Sequence, residues 1–169
     1  MNVRPAKDAD AAEIAFIFNH YVATSHSTFV TEPADTPLIL EMIADSAALG
    51  HPFLVCDDDG DVLGYAYARR FRQGAAYDRT LELSVYVRPG AHEHGIGARL
   101  YAAMMDQLRA DGVHSAVAVI ALPNDASVGL HEKFGFRRVG TIREAGAKFG
   151  RWFDVGIWQY LLSDESLPN

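Results

Sequence analysis

Residues 80–111 constrain the fold of this chain more than any other stretch. Thr80–Val87 is rich in β-branched and aromatic residues and reads as a buried strand. Arg88–His94 follows as a connection containing Pro89 and Gly90, both turn formers. From Gly95 to Asp111 the apolar residues Ile96, Leu100, Ala103, Met104 and Leu108 recur at helical spacing. A strand therefore ends, a glycine-bearing loop turns, and a helix begins. The first N–H groups of such a helix have no intrahelical partner and sit at the positive end of its dipole. The junction is an anion cradle suited to a diphosphate. Glu82, flanked by Leu81, Leu83 and Val85 on the strand leading into it, is a candidate base. A buried carboxylate is costly, and desolvation strengthens it as a base; the alternative is an edge-exposed or salt-bridged glutamate.

The 169 residues suffice for one domain, 1–169, with a sizeable core. A net charge of −7 and a pI near 5.4 argue against nucleic acid or an anionic membrane as partner. Cys56 is alone, which rules out an internal disulfide and leaves no thiolate cluster for a metal. Beside Leu54 and Val55 it reads as a buried strand residue rather than a nucleophile. No signal-like run follows Met1 and no stretch approaches bilayer-spanning length, so a cytoplasmic location is expected.

Along the chain, Asn2–Pro5 is a short edge strand. Asp8 or Asp10 caps a helix to about Thr24, and Thr36–Leu49 is a second helix with Pro37 in its first turn and Gly50 past its end. Phe53–Cys56 and Val62–Phe71 are strands joined at Asp57–Asp61, a solvated hairpin tip whose spacing does not match a calcium loop. A loop with several cations, Arg69–Asp78, precedes the Glu82 strand, and Arg69, Arg70 and Arg79 read as ordinary solvated arginines. Ser115–Leu122 is a strand buried on both faces, and Asn124 or Asp125 caps a short helix to Phe134, closed by Gly135. Phe136–Ile142 and Trp152–Leu161 complete the set, with Gly140, Gly146 and Gly150 placed between them. The order indicates a mixed α/β layer fold around one sheet.

Gly95-Ile96-Gly97 alone is a weak signal, equally a tight strand-to-helix turn. It lacks the third glycine of a dinucleotide fingerprint and the Gly-Lys-Ser/Thr end of a phosphate-binding loop. Context adds to it: Asn19-His20-Tyr21, Leu63-Gly64-Tyr65-Ala66, Tyr77-Asp78, Leu122-Pro-Asn-Asp-Ala-Ser127, Leu130-His131-Glu132 and Lys148-Phe-Gly-Arg-Trp-Phe-Asp154. With these the chain resembles the Gcn5-related N-acetyltransferases (GNAT), specifically their phosphinothricin and methionine sulfoximine branch.

The resemblance implies a GNAT fold: a central, mostly antiparallel twisted sheet with a splayed pair of strands and helices on both faces. It implies acetyl-CoA as cosubstrate, with no metal. Val85, Tyr86 and Val87 would hold the pantetheine arm like an added strand. Glu93, His94, Gly95, Ile96, Gly97 and Ala98 would hold the diphosphate. The family's loop usually opens on Gln or Arg; here His92 stands there. Asn124 would touch the cofactor, a role compatible with capping its helix. Glu82 would be the base, directly or through water, with the Val85 or Val87 amide as oxyanion donor. His131 would protonate or hydrogen-bond the leaving thiolate, or only hold its helix.

Arg72, Gln73 and Gly74 match the family's substrate loop, and Leu83 and Ser84 would line the acceptor pocket beside Glu82. Lys148 and Trp152 would face the site or a second subunit, since members of the branch are typically homodimers. The implied reaction is transfer of acetyl to the α-amino group of a small glutamate-like amino acid. The alternatives are another small amine or a peptide N-terminus as acceptor, and a non-catalytic acyl-CoA-binding module.

Overall fold

The computed structural model describes residues 1–91 and 95–163. The elements run β1 (Asn2–Pro5), α1 (Ala11–Thr24), α2 (Thr36–Leu49), β2 (Phe53–Asp58), β3 (Asp61–Arg70) and β4 (Thr80–Val87). They continue with α3 (Ile96–Ala110), β5 (Ser115–Ala121), α4 (Asp125–Lys133), β6 (Arg137–Lys148) and β7 (Arg151–Leu161). Among the described residues the strands form a seven-stranded sheet, order β1-β2-β3-β4-β5-β7-β6. Each neighbouring pair is antiparallel except β4–β5.

Strand alternation distributes the core between two layers. Phe53 and Val55 of β2 pack with Ile14 and Ile17 of α1 and Ile39 and Ile43 of α2. Leu54 and Cys56 pack on the other face with Ile96, Leu100 and Met104 of α3. The helical stripe read from the sequence is thus the buried face of α3, and each such side chain contributes about 1.5–3 kcal/mol. Cys56 is fully buried, and that burial pushes its thiol up, away from nucleophilic use.

One break in the sheet positions the site. β4 and β5 are paired only from Thr80–Glu82 to Ser115–Val117. Beyond that point they diverge, and Val119, in an otherwise buried β5, becomes 44% exposed. This is the splayed pair.

Several local expectations change. Asp10 does not cap α1; its carboxylate accepts from Arg4 at 2.7 and 2.9 Å and from the Lys7 N–H at 2.8 Å. The Arg4 guanidinium holds the Asp10 carboxyl below its ordinary value, and the pair ties β1 to the start of the helix. Arg69 and Arg70 belong to β3, not to the loop. β6 does not stop at Ile142 but runs to Lys148, with an irregularity between Ile142 and Gly146. Gly140 and Gly146 are therefore strand residues. Pairing with β7 overrides their low strand preference, and at Gly146 the missing side chain leaves room for Phe29. A Cβ there would stand 2.4 Å from the Phe29 ring.

Candidate active site

The divergence of β4 from β5 opens a groove of about 460 Å³ lined by Ser84, Val85, Val87, Val119, Gly97 and Leu130, among others. The hydrogen-bond phase of β4 determines which backbone groups face it. Arg88 N–H donates to Leu63 O at 2.8 Å, and the β3–β4 register pairs Gly64 with Val87 and Tyr65 with Tyr86. In an antiparallel ladder the bonded pairs alternate, so Tyr86 and Ser84 bond to β3. The N–H and C=O of Val85 and Val87 therefore point away from β3, into the splay. The Val87 carbonyl already accepts from the Tyr21 hydroxyl at 2.6 Å. Tyr86 also lines the groove, and its ring packs against Phe18, Tyr21 and Tyr65 at centroid distances of 5.5, 5.3 and 5.3 Å.

At the groove's other wall α3 begins. Gly95 takes a left-handed conformation, φ 67°, that turns the chain into the helix, and Gly95, Gly97 and Ala98 line the groove while Ile96 is buried beneath it. A Cβ at Gly97 would meet only Leu130 at 3.4 Å and Val87 at 3.8 Å, ordinary contacts. The protein's own packing does not need a glycine there; open space on the groove side is what a side chain would fill. Glu93 and His94, with His92, lie outside the described residues.

Glu82 sits where β4 and β5 part. Its side chain is 14% exposed and forms an ion pair with Arg69, its direct cross-strand neighbour. The ion pair does not remove Glu82 as a candidate base, and Arg69, its side chain 58% exposed, is solvated as expected but also paired. Arg70 pairs with Asp78 at 3.2 Å, and Arg79 Nε donates to Gly112 O at 3.1 Å. Ser84, one pleat repeat (roughly 7 Å) from Glu82 on the same face, lines the groove, and so does Leu83.

His131 is 3% exposed on α4 and lines the groove. Its Nδ1 lies 2.7 Å from Ser127 O and its Nε2 2.5 Å from Tyr101 Oη. A carbonyl only accepts, so Nδ1 carries the proton and Nε2 accepts from the Tyr101 hydroxyl. Burial disfavours the imidazolium and moves the histidine below its ordinary value. Asn124 Oδ1 accepts from Ser127 N–H at 3.1 Å, the helix cap expected, and its Nδ2 reaches Ser27 Oγ at 3.4 Å.

Three residues the sequence did not single out as site residues frame the groove. Tyr21 belongs to the Asn19-His20-Tyr21 stretch that carried the resemblance, with no site role attached to it. Ser27 lies in the irregular segment after α1. Val119 was indistinguishable from its buried neighbours in β5. Lys148, whose orientation was open, turns inward: 6% exposed, its Nζ donates to Ser25 O and Thr28 O at 2.8 Å and to Tyr21 O at 3.4 Å. Burial pulls the ammonium below its ordinary value. Trp152 turns outward, 64% exposed. Arg72, Gln73 and Gly74 are exposed in the β3–β4 connection, with the Arg72 guanidinium 5.3 Å from the Phe71 ring centroid.

A protein-family model described as an acetyltransferase (GNAT) domain matches residues 3–157. The chain belongs to the GNAT acetyltransferases. It is 45% identical over 161 residues to the phosphinothricin N-acetyltransferase of Streptomyces viridochromogenes, covering 94% of this chain and 86% of that one. It is 35% identical over 169 residues to the L-methionine sulfoximine/L-methionine sulfone acetyltransferase of Salmonella typhimurium, covering 100% and 99%. The solved Salmonella typhimurium protein yncA, described with its cofactor acetyl-CoA, superposes with a TM-score of 0.96 at 34% identity over 99% of this chain and 97% of that one. In this GNAT chain the groove opens at the only parallel pairing among the described strands. Those two strands are connected through α3 rather than by a hairpin turn.

Proposed function

We propose that the chain is an acetyl-CoA-dependent N-acetyltransferase, a single catalytic domain over residues 1–169, acting on the α-amino group of a small glutamate-like amino acid of the phosphinothricin or methionine sulfoximine type. The observation that carries the reading is the splay of β4 from β5, with Val85 and Val87 N–H groups facing the groove and Glu82 in the last residue pair before the strands part, two residues from the groove-lining Ser84. The residues present fit acetyl-CoA: strand groups for an amide-bearing arm, and the start of α3, with open space at Gly97, for a diphosphate. Glu93 and His94 are assigned to that same diphosphate loop, and Asn124 to the cofactor's edge of α4.

Acetyl-CoA supplies a thioester acetyl group. The amine nitrogen forms a bond to the acetyl carbon, the C–S bond breaks, and the thiolate leaves. Glu82 accepts the amine's proton, directly or through one water. The Val85 or Val87 N–H stabilises the developing oxyanion. Leu83 and Ser84 border the amine, and Arg72, Gln73 and Gly74 are assigned to the acceptor's distal end. His131 can serve as an acid toward the thiolate or as support for its helix. Both its ring nitrogens are held and burial keeps it neutral, which favours a positioning role at the groove wall. A homodimer is supported by the exposed Phe149 and Trp152 on the last hairpin, and a cytoplasmic location belongs to the same proposal.

The test is CoA-thiol release with acetyl-CoA and phosphinothricin, methionine sulfoximine, simple amines and a peptide N-terminus. The amino acids are expected to give the highest kcat/KM, and Glu82→Gln to lower it by about a hundredfold or more. A clear preference for a non-amino-acid amine, or unaltered turnover in the variant, would overturn the acceptor or the base respectively.

A further inference from the structure

The geometry points to Arg69 as the residue that selects an α-amino acid by its carboxylate while Glu82 beside it takes the amine; this deepens, and rests on, the acetyl-transfer reading above. Arg69 on β3 stands directly opposite Glu82 on β4. Side chains so paired share one face with their Cβ atoms about 5 Å apart. An α-amino acid carries its amino nitrogen and its carboxylate on the same carbon. A carboxylate and a guanidinium side by side present the opposite charges to those two groups.

Exposure distinguishes the two members. Glu82 is tucked in at 14%, whereas the Arg69 side chain is 58% exposed. Among the described residues Glu82 is the sole hydrogen-bond acceptor recorded for Arg69. A guanidinium has five N–H donors in a planar fork, so the outer edge of Arg69 is open for the two oxygens of a carboxylate. The pair also leads to the reaction site: the next cross-strand pair on the same face is Tyr67 with Ser84, and Ser84 lines the groove. An ion pair this open to water contributes little to folding. As a recognition element it does two things: it fixes the orientation of the acceptor's α-carbon, and it excludes amines that lack the acid.

The experiment compares kcat/KM for an amino-acid acceptor, methionine sulfone, with that for its decarboxylated amine, using acetyl-CoA and thiol release. Wild type, Arg69→Gln and Arg69→Lys are measured side by side. Any effect of the substitution on Glu82 itself acts on both acceptors and cancels in the ratio. Loss of a charge-assisted contact corresponds to about 10- to 150-fold, so the acid-over-amine preference is expected to fall by that factor in Arg69→Gln. Arg69→Lys, which keeps the charge without the fork, is expected to fall between, and covers the case in which Arg69→Gln does not fold. A preference equal to wild type in either folded variant overturns the role of Arg69 while leaving the acetyltransferase reading intact. A wild-type enzyme that acetylates no amino acid overturns both.

Discussion

Gly64→Ala tests whether the packing of α3 on β3 sets the groove. Gly64 lies on β3 under the start of α3, at a φ that any residue can adopt. A Cβ there would stand 2.9 Å from Ile96 Cγ2, 2.9 Å from the Tyr86 carbonyl oxygen and 3.3 Å from Leu100 Cδ1. The isoleucine tip can shift; the carbonyl cannot, because Tyr86 is bonded into the β3–β4 ladder. Alanine in place of a strand glycine otherwise gains about 0.5–1 kcal/mol from the unfolded state. Overpacking of a close-packed core costs about 1–3 kcal/mol. Taken at mid-range the second effect wins, for a net loss of about 1 kcal/mol and a Tm lower by about 2–4 °C. The displaced part is the first turn of α3, so the KM for acetyl-CoA is expected to rise while that for the acceptor changes less. Urea unfolding with steady-state kinetics measures both. A variant as stable as wild type refutes the steric reasoning, and a destabilised variant with unaltered acetyl-CoA KM refutes the link from α3 to the groove.

Lys148→Met removes the donor that Ser25 O and Thr28 O share, leaving carbonyls without a partner at about 1–3 kcal/mol net, and is expected to speed amide exchange across Ser25–Phe29 as well as lower the urea midpoint. His131 makes stability pH-dependent with a definite sign. Its folded-state value lies below the ordinary 6.5 because of burial, so below 6.5 the unfolded chain binds more protons than the folded one. The contribution is complete above about 6.5 and is lost as the pH falls through that value toward the folded one. Urea midpoints measured from pH 5 to 7.5 are expected to fall on the acid side, and His131→Gln to flatten that limb.

The parts legible in the sequence were those with local causes. The stripe Ile96, Leu100, Met104, Leu108 and the glycine before it declared α3, and the cap at Asn124 declared α4. Glu82 stood out because a carboxylate among Leu81, Leu83 and Val85 must be accounted for. Its partner did not, since the Arg69–Glu82 pairing depends on the register of two strands separated by a loop. The orientation of Lys148 was illegible for a related reason: its acceptors are backbone carbonyls more than a hundred residues earlier, with no side-chain signature. Val119 shows the limit most clearly. Its exposure arises where β5 loses its neighbour, and nothing within β5 differs from a strand buried throughout.

The most direct measurement is a crystal structure with CoA and a non-reactive amino-acid analogue. The expected density runs the pantetheine arm between β4 and β5 with polar contacts to Val85 and Val87, and places the amine within hydrogen-bond reach of Glu82 or one water away. Pantetheine bound outside the splay, or an amine remote from Glu82, would contradict the assignment.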